Sequence, residues 1–113
     1  MKKLSALLAA VVAAAAFAVP AATAGTKTIK IGDDYFIRKG STPTIKVSSG
    51  TVLKWVWRGK VAHNVYQLSG PAGTHFHTSS RVKGTYSRRF KKRGTYTIVC
   101  LIHPGMEMKI KVH

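Results

Sequence analysis

From Thr28 onward the chain alternates apolar and polar positions with a period of two. Thr28-Ile29-Lys30-Ile31 begins the pattern, and Ile45 and Val47 continue it with Thr44 and Lys46 facing outward. This is the period of a half-buried strand, because successive side chains in a strand point to opposite faces. In Thr51 to Trp57 one face carries Leu53, Trp55 and Trp57. A short strand is expected around Val65 and Tyr66, followed by a Gly70-Pro71-Ala72-Gly73 loop. Tyr86 to Phe90 reads as a basic edge strand, since Arg88 and Arg89 discourage pairing with another chain. Gly94 opens a strand in which Tyr96, Ile98 and Cys100 share a face. In the last strand Met106, Met108, Ile110 and Val112 share a face, with Glu107, Lys109 and Lys111 outward. No segment beyond residue 25 shows helical periodicity. Short strands at close spacing, separated by Gly- and Pro-containing turns such as Ser48-Ser49-Gly50, indicate a single all-β sandwich or barrel.

The first residues follow another pattern. Lys2 and Lys3 precede a run of Ala, Leu, Val and Phe from Leu4 to Val19, broken only by Ser5. Pro20 and Ala22-Thr23-Ala24 come next, so residues 1–24 read as a signal peptide. A membrane anchor fits less well, because a spanning helix needs about 20 apolar residues. The expected mature domain is residues 25–113, exported to a periplasm, cell envelope or extracellular space. No Cys near the cleavage site suggests a lipid anchor, so no stable membrane insertion is expected after cleavage.

Composition adds two anomalies. Nineteen Lys and Arg face three acids, for a formal charge of +16, which becomes +14 without Lys2 and Lys3. Such a field attracts anionic partners. Export and the lack of a recognition motif argue against nucleic acid. The second anomaly is Cys100, the only Cys in the chain. It cannot form an internal disulfide, although small exported domains often use them. A bound metal is the other common staple.

Cys100-Leu101-Ile102-His103-Pro104-Gly105-Met106 places a thiolate, an imidazole and a thioether in one short loop between two strands. In a loop the three side chains can converge, which neighbouring positions in a strand cannot do. These donors suit copper, and two imidazoles with a thiolate and a weak axial Met define a blue-copper site. His63, 37 positions before Cys100, can supply the second imidazole. Each residue alone has a plainer explanation: buried Cys and surface His are both common. Met108 is an alternative to Met106 and otherwise fills core space. His75-Phe76-His77 is a second possible metal element, but it sits in a Gly-flanked loop without a Cys or carboxylate nearby. Trp55 and Trp57 are expected in the core or covering the metal end.

With these residues in place the chain resembles small cupredoxins of the plastocyanin, pseudoazurin and amicyanin kind. The resemblance runs over most of residues 25–113: Gly50 before the strand bearing Trp55, then His63-Asn64, then Gly94-x-Tyr96-x-x-x-Cys100-x-x-His103-x-x-Met106. The two-residue gap between His103 and Met106 is similar to that of amicyanins. The resemblance implies an antiparallel Greek-key β-sandwich, with His63, Cys100 and His103 as equatorial copper ligands and Met106 as the axial one. It also implies that Asn64 hydrogen-bonds the two ligand loops together. Met108 stands where many members have Gly, and Trp57 where many have Asn. The implied activity is one-electron transfer between redox proteins, as a monomer meeting partners through an acidic docking surface. A copper carrier or buffer uses the same ligands and remains the alternative. A copper enzyme is not expected, because the four ligands leave no open position and no second cluster is visible.

Overall fold

The computed structural model describes residues 24–113. The signal-peptide reading falls on the residues before these and so lies outside them. Eight strands follow in order: β1 (Thr26–Gly32), β2 (Tyr35–Phe36), β3 (Thr44–Val47), β4 (Thr51–Trp57), β5 (Tyr66–Ser69), β6 (Gly84–Phe90), β7 (Gly94–Val99) and β8 (Glu107–Val112). They form two four-stranded sheets, β2-β1-β4-β6 and β3-β8-β7-β5. No helix occurs among the described residues.

The alternation seen in the sequence is the alternation of burial. Thr51, Leu53, Trp55 and Trp57 are buried on one face of β4, and Met108, Ile110 and Val112 on one face of β8. Ile29 and Ile31 of β1 and Ile98 of β7 join them. Each such side chain contributes about 1.5–3 kcal/mol by leaving water. Trp55 is the aromatic centre, with Phe76, Tyr86 and Phe90 at centroid distances of 5.9, 6.1 and 6.1 Å.

The sandwich is the expected one, and β6 is the edge strand anticipated from its arginines. Two pairings differ from a purely antiparallel arrangement: β1 runs parallel to β4 and β3 parallel to β8. Alternation specifies which face is buried and carries no information on strand direction. The chain also forms a β1–β2 hairpin that periodicity does not reveal, since β2 has only two residues. Its turn is Asp33-Asp34, with Asp34 at a left-handed φ of 72°, a conformation Asp tolerates better than most residues.

Candidate metal centre

The two elements expected to carry metal donors meet at one end of the sandwich. His63 lies between β4 and β5. It does not begin a strand, as the run His63-Asn64-Val65 suggests; the strand starts at Tyr66. Instead His63 makes a single two-way bridge to Arg81, its N–H donating to Arg81 O at 3.0 Å and its carbonyl accepting from Arg81 N at 3.1 Å. The same carbonyl accepts from Trp57 Nε1 at 2.9 Å. Trp57 is thus a core residue that also fixes the His63 backbone, while the Arg81 guanidinium lies 4.9 Å from its ring centroid.

Cys100 follows β7 directly, and residues 101–105 form the turn that returns the chain into β8. Cys100 N–H donates to Met106 O at 3.0 Å, and Met106 N–H to His103 O at 3.1 Å, closing the loop on itself. Gly105 makes the return at φ 88°, which a residue without a Cβ adopts at no steric cost. Asn64 ties the loops as the resemblance implied: its Oδ1 accepts from Leu101 N at 2.8 Å, and its own N–H points at Cys100 Sγ at 3.5 Å.

These constraints bring His63, Cys100 and His103 together, with one donor atom of each lying within 4.8 Å of the others. His63 Nδ1 stands 3.1 Å from His103 Nδ1, and Cys100 Sγ 3.6 Å from that same His103 nitrogen. Bonds of about 2.0–2.3 Å to nitrogen and sulfur separate neighbouring donors around a shared ion by about 3–4 Å. His63 is fully buried, Cys100 and Met106 nearly so, and the His103 side chain remains 25% exposed. Met106 stands in the loop just before β8, and Met108 lies within β8 on the same buried face.

Two further residues at the site carry no sequence motif. His63 Nε2 lies 3.0 Å from Asp33 Oδ1, and His103 Nε2 lies 3.5 Å from Asp34 Oδ1. Asp33 also accepts from Lys60 N–H at 3.0 Å on each oxygen and from Val61 N–H at 3.2 Å. The His63 hydrogen bond, followed by those from Lys60 and Val61, lowers its carboxyl to about 2. At neutral pH Asp33 is therefore an acceptor only, so His63 Nε2 donates to it, and Nδ1 is the ring nitrogen turned toward His103. That nitrogen faces a second imidazole nitrogen with a sulfur close by, an arrangement that a cation satisfies. The only sequence signal for the acidic pair was compositional: two of three acids in a strongly basic chain are adjacent.

His75 and His77 are exposed, with ring centroids 5.7 Å apart, and both pack on Tyr66. Among the described residues no third donor joins them, and the one cluster of three or more metal-competent groups is that of His63, Cys100 and His103.

Residues 28–113 match the profile of copper binding proteins of the plastocyanin/azurin family. The chain belongs to that family. The cupredoxin fold and copper as the metal follow from this membership, and the soft sulfur with two imidazoles is a donor set suited to copper. Amicyanin-alpha of Methylorubrum extorquens is 35% identical over 107 residues, covering 92% of this chain and 86% of the relative. A solved structure of reduced amicyanin bearing one tryptophan-to-tyrosine substitution superposes with a TM-score of 0.66 at 26% identity, covering 81% of this chain and 86% of that one. A copper-containing nitrite reductase from Thermus scotoductus also has a TM-score of 0.66, at 22% identity, with 87% of this cupredoxin matching 26% of the enzyme. That likeness is one of fold alone. No helix among the described residues is long and apolar enough to cross a membrane.

Proposed function

We propose that His63 Nδ1, Cys100 Sγ and His103 Nδ1 hold one copper ion, that Met106 makes the weak axial contact, and that the protein carries single electrons between redox partners. The observation that carries this reading is the convergence of the three donor atoms within 4.8 Å at one end of the sandwich. Copper supplies the one-electron chemistry: Cu(I) favours sulfur and Cu(II) nitrogen, so a mixed donor set serves both states. The chain's part is to hold the donors still. Trp57 and Arg81 fix the His63 backbone, and Asn64 fixes the start of the Cys100–Met106 loop. A scaffold that does not rearrange between oxidation states keeps the cost of electron exchange low.

His103 is the most exposed of the four proposed ligands and is the point of electron entry and exit. Leu101 and Ile102 beside it are 58% and 44% exposed and offer an apolar contact to a partner. The basic charge adds long-range attraction to an acidic docking surface. The protein is read as an exported monomer, acting in a periplasm or at the cell envelope after loss of residues 1–24. The likeness to amicyanins supports the carrier reading.

The test is Cu(II) reconstitution of residues 25–113. Charge transfer from Cys100 sulfur should give an intense blue colour, which Cys100→Ser should abolish along with the copper-linked gain in Tm, since a ligand of the folded state stabilises by mass action. A blue spectrum that survives Cys100→Ser refutes the ligand set. Rapid surrender of the copper to a chelator would instead mark a buffer.

A further inference from the structure

The described residues hold only three acids, Asp33, Asp34 and Glu107, and two of them stand at the outer nitrogens of the two imidazoles. The Asp33 contact is the closer and the better built. Its carboxylate bridges three elements: its own β1–β2 turn, the Lys60 and Val61 amides, and the His63 ring. It fits there because residue 59 is Gly. A Cβ on Gly59 would overlap Asp33 Oδ1 and come within 3.1 Å of the Asp33 backbone nitrogen.

We propose that Asp33 is a positioning residue of the copper site: its carboxylate, seated in the space left by Gly59, holds His63 in the Nε2–H form with Nδ1 turned toward the metal. The inference rests on the ligand assignment proposed above. A carboxylate on the far nitrogen of a ligating imidazole fixes the ring's tautomer and orientation and raises its basicity. His63 has no solvent exposure, and Asp33, itself 41% exposed, is the side chain that meets its Nε2. A more basic Nδ1 and a nearby negative charge both favour Cu(II) over Cu(I). Asp34 provides an internal control, because it carries the same charge at 3.5 Å from His103 with its side chain 64% exposed.

The experiment compares wild type with Asp33→Ala, Gly59→Ala and Asp34→Ala. It measures the His63 tautomer by 15N–1H correlation NMR of the metal-free protein, Cu(II) and Cu(I) affinities, and the reduction potential. Wild type should show the Nε2–H form of His63. Asp33→Ala should lose that preference and about 10–100-fold of Cu(II) affinity, with Cu(I) affinity less affected. A tenfold selective loss of Cu(II) raises the potential by about 59 mV. Gly59→Ala keeps every proposed ligand and every acid, yet should reproduce these changes by displacing the carboxylate. It also serves if Asp33→Ala fails to fold. Asp33→Asn, which keeps an acceptor oxygen, should restore the tautomer and part of the affinity. The proposal is overturned if folded Asp33→Ala or Gly59→Ala keeps the wild-type tautomer and Cu(II) affinity, or if Asp34→Ala shifts the potential as far as Asp33→Ala. A wild-type protein that takes up no copper defeats the ligand assignment instead, and the metal-free tautomer comparison still judges Asp33.

Discussion

Asn64→Ala isolates the cross-link between the two ligand loops. Asn64 is 7% exposed, and its Oδ1 is the recorded partner of Leu101 N–H at 2.8 Å. The substitution removes that acceptor and leaves the Asn64 backbone N–H still facing Cys100 Sγ. A typical hydrogen bond contributes about 0.5–1.5 kcal/mol net. Water can reach the freed amide, because Leu101 itself is exposed, so the penalty stays near the middle of that range, about 1 kcal/mol. For a domain of this size that corresponds to a fall in Tm of about 4–8 °C. It should appear in the metal-free protein and not only in the copper form. Hydrogen exchange supplies the local test. Since about 1.4 kcal/mol is tenfold in an equilibrium constant, the Leu101 amide should exchange about fivefold faster, while core amides such as Ile98 slow or quicken only with global stability. An unchanged Leu101 exchange rate in Asn64→Ala would show that the bond does not hold the loop.

The two methionines should separate by potential. Met106→Leu should raise it by removing a donor that favours Cu(II), and Met106→Gln should lower it with a harder oxygen, whereas Met108→Leu should cost less than about 1.5 kcal/mol of stability and leave the potential alone. A potential that tracks Met108 and ignores Met106 refutes the axial assignment. Trp57→Phe removes the indole donor to the His63 carbonyl, which keeps Arg81 N–H as a partner; stopped denaturant curves should show a loss of about 1 kcal/mol. The charge should appear in electron exchange with small inorganic reagents: stopped-flow oxidation by anionic ferricyanide should slow as salt rises, because screening shortens the Debye length to about 8 Å at physiological ionic strength. Salt-independent oxidation would mean that the basic residues do not act at the metal end.

What the sequence made legible, and what it did not, follows from the range of each signal. The buried faces of β4 and β8 were legible because a period of two is a local property, readable from Leu53, Trp55 and Trp57 or from Met108, Ile110 and Val112. Cys100, His103 and Met106 were legible for a similar reason, since one short loop contains them all. His63 required a non-local step, and the sequence offered its residue type without its backbone partner, Arg81. The parallel pairings were hidden, because Ile31 and Ile45 alternate with their neighbours in the same way whichever strand lies beside them. Asp33 left no pattern: an acid in a two-residue turn, 30 positions from the imidazole it touches, looks like any turn residue.

The place of β8 has a consequence for how the molecule is made. This last strand lies inside its sheet, parallel to β3 on one side and antiparallel to β7 on the other. Thr44 thus waits for Lys109, and Val47 for Val112. A chain without β8 leaves β3 with no neighbour in its sheet, and its Cys100 and His103 have no return strand to hold their loop closed. Such long-range pairing places the protein among the slow folders, on a scale of milliseconds to seconds. Until β8 is in place, therefore, the metal end cannot assemble, however quickly the strands before it are able to pair.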